Sequence, residues 1–120
     1  MEATELNEIA GCWFKAFNDH NLDALLALYN NNALHLSPKL KLQRPETNGL
    51  ITGKVALRAW WKDAFDRLPT LQYEVIRLTP CENRIFMEYI RHVNGEEDLM
   101  VGEMLEVENG LIVKSSVFHQ

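Results

Sequence analysis

From Thr70 onward the apolar residues recur at every second position, in four runs spanning 71 to 79, 84 to 93, 98 to 108 and 111 to 119. Pro80 to Asn83, Asn94-Gly95 and Asn109-Gly110 separate them, and each is a local reason for the chain to reverse. Four long strands joined by reversals predict an antiparallel sheet, and such a sheet needs a second layer to bury its apolar face.

The preceding residues supply that layer. Leu6, Ile9, Trp13, Phe14 and Phe17 fall at helical spacing over 4 to 18, with Thr4 as the expected N-cap. Asn18 to Asn21 break this helix, and Asn21 caps a second one on which Leu22, Leu25, Leu26 and Tyr29 share a face. Asn30 to Asn32 are expected to end it in a left-handed turn, followed by a short strand at 33 to 37. Pro38 and Pro45 bracket a loop reaching about Ile51, with a short edge strand near Lys39 to Leu42. Thr52 and Gly53 open a third helix that ends before Pro69. Trp60 and Trp61 cannot both centre one helix face, so one is expected inward and the other against a cavity or interface. The fold class is therefore α+β: a curved, cone-shaped, mainly antiparallel sheet with three helices from the N-terminal half on its concave side.

With 120 residues the chain fits one domain, 1 to 120. The balance of 12 Lys plus Arg against 17 Asp plus Glu, dispersed along the chain, argues against nucleic acid or an anionic membrane as partner. No apolar run approaches the roughly 20 residues of a membrane span, and no secretory signal is visible. Cys12 and Cys81 form neither a metal-ligand spacing nor a disulfide framework, so the expected setting is the reducing cytoplasm.

Polar groups interrupt the apolar faces at particular places. His35 and Ser37, in YNNNALHLSP, leave the same side of the short strand. Glu103 stands among Leu99, Val101, Leu105 and Val107, where a carboxylate is costly unless paired or protonated and burial raises its pKa. Arg91 continues the face of Ile85, Met87 and Tyr89, and His119 that of Leu111, Val113 and Val117. The competing reading of Glu103 is a structural partner for Arg91 or for Tyr and Trp groups. His35 and His119 can equally be structural, the latter close to a chain end. A metal site of His35, His119 and Glu103 is set aside because no two of them share a local motif.

The segments AFNDHNLDALLALYNNNALHLSP, GKVALRAWWKDAFDRLP and VENGLIVKSSVFH together resemble the nuclear transport factor 2-like superfamily, most closely its SnoaL-like branch. The resemblance implies a cone holding a small apolar or polycyclic molecule, as in ketosteroid isomerase and the polyketide cyclases. It also implies that Ser37 stands where ketosteroid isomerase has its general-base Asp, and Ser is no base at neutral pH. That enzyme's oxyanion-binding Tyr corresponds to Trp13 and its protonated Asp to Glu103. Two pocket tyrosines correspond to Tyr29 and Trp61, and a pocket aromatic to His119. Steroid isomerase activity is therefore not expected.

Two functional readings follow. In the first, the chain is a cofactor-independent isomerase, cyclase or lyase that moves a proton on an apolar carbonyl compound. Glu103 and His35 are its catalytic groups, with Trp13 or Tyr29 as oxyanion donor. Ser37, Trp61, Phe65, Met87, Tyr89, Arg91 and His119 complete the expected ligand-binding set. In the second, it is a noncatalytic binding or interaction module. Phe86, Ile90, Met100, Met104, Ile112 and Phe118 then form an apolar stripe on the outer sheet face that predicts a homodimer.

Overall fold

Six strands form one open sheet in the order β2-β1-β6-β5-β4-β3, in a computed structural model that describes residues 2–119, the last by its backbone. The four long strands are β3 (Gln72–Cys81), β4 (Arg84–His92), β5 (Leu99–Glu108) and β6 (Leu111–His119), all paired antiparallel in sequence. Asn109 and Gly110 both take positive φ, 52° and 79°, at the β5–β6 reversal, as an Asn-Gly hairpin turn requires. β1 (Tyr29–Leu36) joins the sheet by a parallel pairing with β6 and carries the three-residue β2 (Leu50–Thr52) on its outer edge.

The concave face is covered by α1 (Ala3–Asn18), α2 (Leu22–Ala27) and α4 (Lys54–Arg67). Leu6, Ala10, Trp13, Phe14 and Phe17 of α1 are buried, and so are Leu57, Trp61 and Phe65 of α4. His20, at φ 52°, makes the left-handed turn that closes α1: its amide bonds to Phe17 O at 3.0 Å and that of Asn21 to Ala16 O at 2.9 Å. Asn21 then caps α2 by accepting from the amide of Ala24 at 3.1 Å.

Several local expectations give way. Thr4 lies inside α1, whose N-cap is Glu2 without a side-chain bond. α2 stops at Ala27, so Tyr29 is the first strand residue, and none of Asn30 to Asn32 takes a positive φ. These asparagines instead arch out of the sheet, breaking the β1–β6 register between Tyr29 and Leu34. Lys39 to Leu42 belong to a fourth helix, α3 (Pro38–Gln43), with Ser37 as N-cap and Pro38 in its first turn. A helix sends Leu40 and Leu42 to opposite sides, which is why Leu40 is fully buried while Leu42 is 80% exposed. Pro80 and Cys81 extend β3, so the turn is tighter than expected.

Ile112 is buried, not on the outer face. Glu106 pairs with Lys114 but Val107 with Ile112, so Val113 is an extra residue that reverses the in-and-out phase of β6. Leu111 accordingly turns to solvent and Ser115 turns in, fully buried.

Candidate functional site

The register lays the inward side chains in rows that climb the cone. Above a fully buried row of Tyr29, Ile112 and Val107, the first row with polar groups joins His35 of β1, Ser115 of β6 and Leu105 of β5. Val117, Glu103 and Met87 make the next, Val101 and Tyr89 the third, and Leu99, Arg91 and Tyr73 the row at the open end. Between these rows and the helices lies a cavity of about 100 Å³. His35, Ser37, Trp61, Tyr89, Arg91 and Glu103 line it. Trp13, Tyr29, Phe65 and Met87 lie outside the lining, packed in the core. His119 is placed by its backbone opposite Val101, and its side chain lies outside the described residues.

Phe17, Trp60, Tyr73, Lys39, Gln43 and Arg67 complete much of the wall; apart from Trp60, one of the adjacent pair of which one member was expected at a cavity or interface, sequence reasoning did not single them out as ligand contacts. Trp60 and Trp61 both reach the cavity, with Trp61 the more deeply buried. Tyr73 stacks on Phe17 at 4.5 Å and meets Tyr89 at 4.3 Å. Its β3 neighbours are largely exposed, so the strand offered little pattern to mark it.

Glu103 is 2% exposed. Tyr89 Oη donates to its Oε1 at 2.8 Å, whereas Oε2 is a buried side-chain polar atom without a hydrogen-bond partner among the described residues. Burial outweighs the Tyr89 hydrogen bond and pushes the carboxyl up to about 7, so near neutrality it can either take or give a proton. Arg91 does not pair with Glu103; its Nη1 donates to Glu96 Oε1 at 2.8 Å.

His35 is 3% exposed, packed edge-on against Trp61 with ring centroids 5.4 Å apart. Burial lowers its pKa to about 4, leaving a neutral imidazole at physiological pH. Behind it runs a buried relay. Trp13 Nε1 donates to Tyr29 Oη at 3.1 Å, Tyr29 Oη donates to Ser115 Oγ at 3.3 Å, and Ser115 Oγ lies 2.6 Å from His35 Nδ1. Indole N–H is a donor only, but each hydroxyl oxygen accepts up to two bonds, so the Ser115–His35 contact is compatible with either ring tautomer. With Ser115 donating to Nδ1 the ring proton sits on Nε2 and His35 is a hydrogen-bond donor there; with the proton on Nδ1, Nε2 is an acceptor.

Two titratable side chains thus share one cavity: a carboxyl that exchanges a proton near pH 7 and a neutral imidazole that donates from one ring nitrogen and accepts at the other. Glu103 lies two strands from His35, about 10 Å across the sheet at the usual strand spacing, and a small molecule can span that gap.

A family described as the SnoaL-like domain matches residues 12–115. A SnoaL-like protein of unknown function from Burkholderia thailandensis superposes with a TM-score of 0.89 at 22% identity, covering 100% of this chain and 98% of that one. A candidate polyketide cyclase from Sinorhizobium meliloti gives a TM-score of 0.80 at 15% identity, with 98% and 100% coverage. A protein with a ketosteroid isomerase-like fold from Catenulispora acidiphila, in complex with trimethylamine, gives 0.75 at 15% identity, with 94% and 85% coverage. These likenesses establish a shared fold. No curated protein matches the chain.

Proposed function

Because the chain belongs to the SnoaL-like domain family, we propose that it holds a small organic carbonyl compound in its cone and moves a proton on it without a cofactor. Glu103 is the proton carrier in this reading and His35, in the Nε2–H tautomer that Ser115 would favour by donating to Nδ1, the donor to the carbonyl oxygen. The carboxylate takes a proton from the carbon next to the carbonyl, the electron pair moves to oxygen, and the His35 Nε2–H stabilises the enolate. Glu103, now protonated, returns the proton to the same or another carbon. Trp13 and Tyr29 act as positioning residues through Ser115, not as oxyanion donors, because they lie outside the cavity wall.

The observation that carries this reading is the unpartnered Oε2 of Glu103, buried in the wall of a cavity that also holds a hydrogen-bond donor. The cavity is somewhat smaller than the roughly 150 Å³ space known to hold benzene, which disfavours a polycyclic ligand and requires a substituted single ring to extend through the open end of the cone. Exchange of the α-protons of aryl methyl ketones in heavy water, followed by proton NMR, tests the chemistry. Glu103→Gln is expected to abolish exchange and His35→Ala to slow it at least tenfold; unchanged exchange in Glu103→Gln refutes the assignment.

A noncatalytic reading rests on the outer face. Met100 and Phe118 are 51% and 56% exposed there, beside half-buried Phe86, Ile90 and Met104. We propose that a second copy covers this stripe, in a cytoplasmic protein whose Cys12 and Cys81 remain exposed thiols. Light scattering after size exclusion at micromolar concentration should give twice the 13.9 kDa chain mass, and a strict monomer removes this interface.

A further inference from the structure

We propose that the ligand is an organic anion whose carboxylate sits at the mouth of the cone on Arg91 and Lys39, with Arg67 beside them. This rests on the pocket reading above and adds a ligand class to it. All three cations line the same cavity, although the chain as a whole carries a formal charge of -5. They come from separate elements, β4, α3 and α4.

The neighbouring carboxylates do not balance them. Glu96 takes one nitrogen of Arg91, and Asp63 pairs with Arg67 Nε at 2.7 Å on the exposed side of α4. No carboxylate lies within 4 Å of Lys39 among the described residues. At the mouth three cations face two carboxylates; Glu103, the other carboxyl lining the cavity, sits deeper, level with Met87 and four residues down β4 from Arg91, so the positive end and the acidic end of the cavity are separate. Arg91 is only 8% exposed, yet one oxygen of Glu96 engages a single nitrogen of its fork, leaving other donors for a ligand. Burial lowers the Lys39 pKa, and the neighbouring Arg91 lowers it further. A bound anion relieves both costs.

The spacing sets the shape of the ligand. Glu103 pairs across the sheet with Met87, and Arg91 lies four residues further up β4, about 14 Å at strand rise. The Arg91 and Glu103 side chains shorten that span from both ends. A single ring carrying a carbonyl at one end and a carboxylate at the other matches it, with the ring against Trp61, Tyr73 and Tyr89.

Binding of 4-acetylbenzoate and of its neutral carboxamide, read by quenching of Trp60 and Trp61, tests this. The acid is expected to bind at least tenfold more tightly than the amide at low salt, and the gap should narrow in high salt. Lys39→Gln and Arg67→Gln, both remote from the packed core, should each weaken the acid about three- to tenfold and leave the amide unchanged. Equal binding of acid and amide overturns the anion site while the pocket reading stands; binding of neither overturns both. Tighter binding of trimethylammonium than of the acid also overturns the anion site.

Discussion

Ser115 Oγ lies 2.6 Å from His35 Nδ1, at the end of a buried chain that begins at an indole able only to donate. A serine on the last strand is thereby placed to set the tautomer of a histidine on the first, and donation from Ser115 would hold that ring as Nε2–H.

The Ser115→Ala variant should lose that control. Nitrogen-15 NMR of the His35 ring is expected to show the Nε2–H tautomer in the wild type and a mixture in the variant. Tyr29 loses its acceptor as well, and leaving that buried hydroxyl unpaired costs about 1–3 kcal/mol in urea unfolding. An Nδ1–H tautomer in the wild type contradicts the relay.

Glu103 and His35 tilt the pH dependence of stability in opposite directions. Burial raises Glu103 from 4.5 to about 7, so its favourable contribution is complete below pH 4.5 and is lost as the pH climbs through 7. Burial lowers His35 from 6.5 to about 4, so its contribution is present above pH 6.5 and is lost as the pH falls through 4. Between 4.5 and 6.5 the two slopes, each up to roughly 1.4 kcal/mol per pH unit, oppose one another. The Glu103→Gln protein should therefore gain stability with rising pH in that window, and the His35→Gln protein should lose it. Urea midpoints from pH 4 to 8 check this, and curves parallel to the wild type in both variants contradict it.

Tyr89→Phe removes the hydroxyl that donates to Glu103 Oε1. That bond opposes the effect of burial, so the Glu103 pKa should rise above about 7 and the exchange rate should need a higher pH. A carboxyl titration by carbon-13 NMR that does not move would show that Tyr89 has no such role.

A side chain at Gly102 should displace Phe86. A Cβ there would come within 2.5 Å of the Phe86 ring, which lies across it on the outer face. Gly102→Val is expected to lift Phe86 and disturb the apolar stripe while leaving probe binding in the cavity intact. Loss of the dimer with unchanged binding supports the two-faced reading; loss of binding with an intact dimer opposes it.

Much of the fold was legible because the period-two runs are long and the Asn-Gly turns lock their reversals. Glu103 also stood out in sequence, since a carboxylate among four inward apolar residues has few inexpensive places to go. Local periodicity failed where it was short. The alternation Lys39-Leu40-Lys41-Leu42 fits an edge strand as well as a helix, and Pro38 and the Ser37 cap decided the matter. Tyr29 extended a helical spacing by one step but was needed to start the sheet.

Ser115 was hidden for a different reason. Its role depends on partners 80 and 86 residues away and on a bulge that local spacing does not announce. Lys39 and Arg67 likewise became neighbours only when α3 and α4 closed over the same rim. The mouth is a product of tertiary placement.

Val113 is surplus to the β5–β6 ladder, because Glu106 pairs with Lys114 and Val107 with Ile112. Deleting it would close the ladder with every remaining side chain on its present face, Ile112 and Ser115 inward and Phe118 outward. What the deletion would remove is slack: the β1–β6 register breaks over the same stretch, between Tyr29 and Leu34. Two irregular strands then lean on one residue, and loss of the His35–Ser115 contact in a Val113 deletion with an intact fold would show that the bulge sets their fit.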